Sequence, residues 1–289
     1  MGAETVQLLA FLDPIIEPFE AEFMRNGALA AIVVGVLCGA VGTLVVIRGM
    51  ALLADSFAHG VLPGVAIAVL LTTADAEPSQ VAVLAGGLAG GLLTAAGTAL
   101  ILRRSGLKAD TAAALMFVFM LALGVVLISR VSNFAVDLTA FLFGDVLSVD
   151  ASELPLTAAL AALVLGAFAL LYKPIVLTSF DKRRAAAAGL PVERIELATM
   201  ILLAVAVVVG FRVVGALLVL GLLIAPPAAA AMLTRRLPSM IVLSAGIAAI
   251  SGPLGLLVSW HLDVAAGASI VLVAVGICLG VIALRPLRA

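Results

Sequence analysis

At 289 residues the chain has the length of one or two soluble domains, but 64% of it is hydrophobic, only 11% is charged, and the mean hydropathy is +1.32. Soluble domains carry about 25% charged residues, so the composition excludes a soluble globular protein. It predicts an all-α polytopic membrane helix bundle, with one transmembrane domain over 1–289. The net charge of −1 gives no reason to expect a nucleic-acid partner; the surroundings such a chain requires are a lipid bilayer.

Residues 1–25 are acidic, with Glu4, Asp13, Glu17, Glu20 and Glu22 and no basic stretch ahead of an apolar run. They are read as an extracytoplasmic segment and not as a signal peptide. Apolar runs of about 20 residues, enough to cross a bilayer, then occupy 26–47, 57–74, 81–102, 111–129, 154–172, 193–210, 213–234, 239–260 and 264–284. These give nine spans. Eight is the alternative count, because the second and sixth runs are short and the turn at Phe211-Arg212 is tight. Gly35-Val-Leu-Cys-Gly39 and Gly86-Gly-Leu-Ala-Gly-Gly91 place small residues at the spacing that lets helices approach closely. Cys38 and Cys278 lie in separate apolar runs with no metal-type spacing, so they read as small core residues.

The stretch from Met50 to Ala68 sets Asp55, Ser56 and His59 at the mouth of the second run. On a helix Asp55 and His59 are i and i+4 and share a face. A carboxylate and an imidazole one turn apart can both hold a divalent cation, and a lone Asp in a bilayer costs about 2.5–3.5 kcal/mol on the translocon scale. Pro63 and Gly64 follow, weakening the helix and freeing backbone carbonyls toward the same cavity. Two plainer readings stand beside this one: Asp55 as an N-cap helped by Ser56, and His59 as a satisfied interior histidine.

Farther on, 134–150 is apolar but interrupted by Asp137 and Asp145, which predicts a short interfacial or re-entrant helix. The longest inner loop is 173–191. There Ser179 or Asp181 can cap a short basic helix that carries Arg183 and Arg184, ends at Gly189 and has Pro191 just beyond. That helix is either a docking element for a cytoplasmic partner or a topogenic basic loop on the lipid surface. In 214–231, Pro226 and Pro227 predict a break near the inner end of the span, bordering a pathway or marking a simple kink. With the N-terminus outside, all but Arg25, Arg130 and Arg212 of the 16 Lys and Arg residues fall on one side. The positive-inside rule makes that side the cytoplasm, together with the C-terminus.

The run Asp55-Ser-Phe-Ala-His-Gly-Val-Leu-Pro-Gly-Val-Ala-Ile-Ala68 resembles the signature of permeases of the ABC-3 family of metal importers, which carry manganese, zinc or iron. Leu142-Phe-Gly-Asp-Val-Leu147, Ser179-Phe-Asp181 with Gly189-Leu-Pro191, Val214-Gly-Ala-Leu-Leu218 with Leu223-Ile-Ala-Pro226, and Gly267-Ala-Ser-Ile270 resemble its later blocks in order. Departures are Ala58 and Gly60 where Ser and Ala are usual, Lys182 for a proline, and Ala265-Ala266 without the proline common before Gly267. The resemblance implies a transport subunit, not an enzyme. Its partners would be a second permease copy, a separate ATP-binding cassette ATPase and an extracytoplasmic metal-binding protein, with no permanent cofactor beyond the divalent metal in transit. It also implies metal ligands at Asp55 and His59, and an ATPase-coupling segment around Ser179, Phe180, Asp181, Arg183, Arg184 and Gly189. No G-x-x-x-x-G-K-[ST] phosphate loop occurs in the chain, in keeping with hydrolysis on another subunit.

Two other transporter readings compete. A stand-alone cation-coupled secondary transporter would use Asp55 as its coupling carboxylate, but no second ionisable residue lies deep in another run to complete a relay. A siderophore or vitamin permease would need a wide pore and not ligands, which the Asp–His pair argues against. A membrane enzyme is disfavoured because His59 has no nucleophile or acidic triad beside it.

Overall fold

The computed structural model describes residues 14, 17–71, 79–129 and 146–284. Every regular element among them is a helix, and nine segments are long and apolar enough to cross a membrane. In chain order they are α1 (Glu22–Arg48), α2 (Ala51–Leu71), α3 (Gln80–Ser105), α4 (Ala109–Ile128), α5 (Leu154–Phe180), the short α6 (Lys182–Ala187), α7 (Val192–Leu233), α8 (Leu237–Leu262) and α9 (Ala266–Leu284). The ninth segment arises because α7 contains two spans, Val192–Phe211 and Val214–Leu233. Among the described residues the count is therefore nine and not eight.

Three boundaries differ from the sequence expectation. First, α2 starts at Ala51 and not at 57, so Asp55 and His59 lie inside the helix rather than at its mouth. Second, residues 173–180 continue α5 as helix, and only 181–191 connects it to α7. Pro174 does not stop α5, because a proline removes only one hydrogen bond of the ladder and neighbouring helices support the rest. Third, the break in α7 is not at Pro226-Pro227, where helix continues to Leu233, but at Gly215, whose φ of 77° and ψ of 169° are non-helical. The expected interfacial helix at 134–150 falls mostly outside the described residues; Val146–Ser148 at its end form one 3-10 turn. Most of the acidic N-terminal segment also lies outside them, and a 3-10 turn at Glu17–Glu20 leads into α1.

The centre of the bundle is α1, packed against α5, α7 and α8. It can be central because small residues let backbones meet. A Cβ on Gly39 would stand 2.7 Å from the Ser244 carbonyl oxygen of α8, and the Ser244 hydroxyl donates to the Gly39 carbonyl at 2.7 Å. The same device joins α2 to α3, where Gly60 and Gly64 face Gly86, Gly90 and Thr94 with no room for side chains. That seam fixes the rotation of α2 about its axis. Its neighbouring face, carrying Leu62, then meets α4 at Gly124.

The two ends of the bundle differ in chemistry. At one end Arg48 reaches α5, Arg103 pairs with Glu193 of α7 at 3.2 Å, and Lys182 pairs with Glu196 of α7. At the other, Phe23 lies 6.3 Å from Trp260, ring centre to ring centre, and Gly27 backs onto Val146.

Candidate functional site

Asp55 and His59 sit on α2 about 6 and 12 Å from its start, at 1.5 Å per residue. Met50 supplies the first helical carbonyl, to Leu53 and Ala54 at 3.1 Å each. Asp55 is thus a turn inside the helix and does not cap it, and the buried Ser56 hydroxyl makes no hydrogen bond, so the capping alternative fails. His59 Nδ1 lies 3.4 Å from Asp55 Oδ1 and 3.2 Å from the Asp55 carbonyl oxygen. With Nδ1 turned to Asp55, Nε2 is the nitrogen left to face a ligand. Both side chains keep some exposure, 31% for Asp55 and 15% for His59. The Phe117 ring of α4 packs against the imidazole in a T-shaped arrangement, 4.7 Å between ring centres and 69° between planes.

This pair has two potential metal-binding side chains, fewer than the four usual around a transition metal. No group of three or more His, Cys, Asp or Glu exists among the described residues. One copy of the described chain therefore offers two such side chains at this place. Pro63, without an N–H, leaves the His59 carbonyl without its helical donor one turn on. Pro63 and Gly64 line an apolar cavity of about 490 Å³ between α2, α3 and α4, with Met120 and Leu123 on its α4 side; Asp55 and His59 do not line it, so the cavity shared with the pair that the sequence suggested is not formed there. Pro226 is buried in the second half of α7.

The sequence-marked inner segment is sharply built. Ser179 belongs to the last turn of α5, where its hydroxyl donates to the Ile175 carbonyl at 2.6 Å and accepts from Arg48 Nε at 2.7 Å. Phe180 is 70% exposed. Asp181 leaves the helix with φ −149° and caps α6, its Oδ1 accepting from the Arg184 N–H at 2.8 Å. The helix ends at Ala187, two residues before the expected Gly189. Gly189 is the residue that turns the chain, at φ 78°, with its own N–H on the Ala186 carbonyl at 3.0 Å and that of Leu190 on Ala185 at 3.1 Å. Arg183 and Arg184 are exposed.

Residues 20–285 match the ABC 3 transport family. The chain belongs to that family. Among relatives of this ABC-3 permease, the manganese transport system membrane protein MntC of Halalkalibacterium halodurans is 39% identical over 252 residues, covering 87% of this chain and 84% of that protein. The chelated iron transport system membrane protein YfeD of Yersinia pestis is 34% identical over 259 residues, covering 90% of this chain and 84% of that one. Among solved structures, PsaBC from Streptococcus pneumoniae in complex with Fab superposes with a TM-score of 0.81 at 35% identity, over 94% of this chain and 95% of that one. The family match over residues 20–285 includes both the Asp55–His59 helix and the α5–α6 segment.

Two residues of this ABC-3 chain have roles with little signal in the sequence, Phe117 beside His59 and Arg48 against α5. Phe117 touches His59 from another span, a contact with no local signal. In sequence Arg48 is one inner charge among many, marked only by its place shortly before the Asp–His stretch.

Proposed function

We propose that the chain is the membrane-spanning subunit of an ATP-driven importer of divalent metal ions of the manganese, ferrous iron and zinc class. The observation that carries this reading is the Asp55–His59 pair, an ionisable couple partly exposed within an otherwise apolar helix. Such residues are costly in a bilayer and generally face a cavity, a partner or a pathway. Carboxylate and imidazole together suit these metals, and the named relatives concern manganese and iron. A two-fold assembly would set two carboxylates and two imidazoles around one ion, completing the shell that one chain half fills. A conducting site must also release its ion, so modest affinity serves transport.

In this reading the end bearing Arg48, Arg103 and Lys182 faces the cytoplasm. There the exposed Phe180, Arg183 and Arg184 on the capped α6 present a small apolar and basic surface to the ATPase. An extracytoplasmic metal-binding protein delivers the ion at the opposite end. The buried polar residues among those described are Asn, Thr and Ser, so no observation favours a proton relay of the secondary-transporter kind.

The test is manganese uptake in cells lacking their own importer. Asp55→Asn keeps shape and removes charge, and His59→Gln keeps a polar group and removes the imidazole. Each is expected to abolish uptake at unchanged levels of folded, ATPase-associated protein. Normal uptake in both variants would refute the site, and loss of folded protein in both would assign the pair a purely architectural role.

A further inference from the structure

Arg48, the last residue of α1, is half-buried and aimed at the last turn of α5. Its Nε donates to Ser179 Oγ at 2.7 Å, and one terminal nitrogen donates to the Ile175 carbonyl and to Thr178 Oγ1, each at 3.0 Å. Both hydroxyls are pre-set to accept. Ser179 gives its proton to the Ile175 carbonyl at 2.6 Å, and Thr178 is within 2.9 Å of the same carbonyl. A cation beside the last carbonyls of a helix is also favoured by the helix dipole.

Arg48 stands on a corner with little slack. Gly49 turns the chain at φ 65° and ψ 38°, the Met50 N–H donates to the Val45 carbonyl at 2.9 Å, and α2 begins at Ala51. Asp55 follows one turn later. On the other side of the clamp, Ser179 is two residues from Asp181, the cap of α6, and Lys182 of α6 is paired with Glu196 of α7. A cavity of about 470 Å³, lined by Arg48, Met50, Ser179, Lys182 and Glu196 among others, adjoins the clamp.

We propose that Arg48 is the positioning residue through which displacement of the α5–α6 segment is passed to α2, coupling the ATPase to the Asp55–His59 pair. This rests on the function proposed above. The guanidinium supplies several donors in a fixed fork, so the two helix ends move as one body; a lysine carries the same charge on a single flexible nitrogen and cannot.

The experiment reconstitutes the permease in liposomes with its ATPase and extracytoplasmic binding protein, using manganese(II) as the probe. Arg48→Met and Arg48→Lys are expected to co-purify with the ATPase and to hydrolyse ATP within about twofold of the parent. Metal ions moved per ATP should fall about tenfold, as for loss of one strong charge-assisted contact. Thr178→Val with Ser179→Ala removes the acceptor hydroxyls and should uncouple likewise. Combined with Arg48→Met it should lower the ratio little further, since both changes remove one interaction. A full ratio in Arg48→Lys, showing that charge alone suffices, would overturn the proposal, and so would simply additive losses. Should Arg48→Met not insert, the Thr178 and Ser179 changes decide alone, a normal ratio overturning it. A parent complex that binds no ATPase or moves no manganese would refute the function beneath the proposal, and the proposal with it, before any variant is measured.

Discussion

His59 shows what a single residue reveals in sequence and what it hides. Its relation to Asp55 was legible because i and i+4 is a local relation that any helix enforces, and the structure keeps the two nitrogen-to-oxygen approaches at 3.2 and 3.4 Å. Its relation to Phe117 was not legible, because that contact depends on how α2 and α4 are rotated against each other. The rotation follows from Gly60 and Gly64 abutting α3, which turns the His59 face toward α4. With Asp55 beside one nitrogen and the Phe117 ring packed against it at a steep angle, the imidazole is held in one orientation. An aromatic pair of this kind contributes about 0.5–1.5 kcal/mol beyond its buried area. Phe117→Leu keeps apolar volume but frees the ring, so the apparent KM for manganese uptake should rise about twofold to tenfold with a smaller change in maximal rate. Uptake curves on matched amounts of folded protein check this; an unchanged KM would make Phe117 mere packing.

Among the helices, punctuation was read correctly where it was local and wrongly where tertiary structure intervened. The stop at Gly189 was visible as a glycine followed by Pro191, and the structure spends that glycine on a positive φ. Pro226 and Pro227 were expected to break α7, but that half of α7 is supported on several sides. Pro227 deprives the Leu223 carbonyl of its helical donor, and the same carbonyl is backed by Gly42 of α1. The true break, Gly215, lies three residues beyond the turn expected at Phe211-Arg212, in an aliphatic run where the glycine is the only residue suited to it. Its φ of 77° with ψ of 169° belongs to a region essentially closed to residues with a Cβ, where strain costs about 1–3 kcal/mol. Gly215→Ala should therefore lower the thermal midpoint in detergent and the yield of folded protein. Gly246→Ala in α8, where a Cβ would meet nothing within 4 Å, should be neutral or slightly stabilising, by up to about 1 kcal/mol from helix propensity. Equal effects of the two changes would remove the backbone argument.

At the scale of the whole molecule, the number of spans was legible and their arrangement was not. Lipid and protein interior are alike apolar, so hydropathy marks a helix as crossing without saying whether neighbours or lipid surround it. That α1 is central is betrayed only by its small residues, Gly35 and Gly39 against α8 and Gly42 against α7. Charge is the long-range signal that survives. The basic ends of α1 and α3 and the start of α6 gather at one end of the bundle, joined to α5 and α7 by Arg48, Arg103 and Lys182, and Phe23 and Trp260 meet at the other. On the proposed orientation the charge bias puts this basic end inside. Single cysteines at Arg104 and Arg184, on a background in which the buried Cys38 and Cys278 are replaced by alanine, should stay unlabelled by a membrane-impermeant thiol reagent in intact cells and react after permeabilisation. His261→Cys, on the exposed end of α8, should react in intact cells. The three positions test one rigid assignment, because α6 and α3 are each tied to α7 by an ion pair and cannot face opposite sides of the membrane. Labelling of position 184 from outside would reverse the orientation of the whole bundle and move the α6 surface away from any cytoplasmic ATPase.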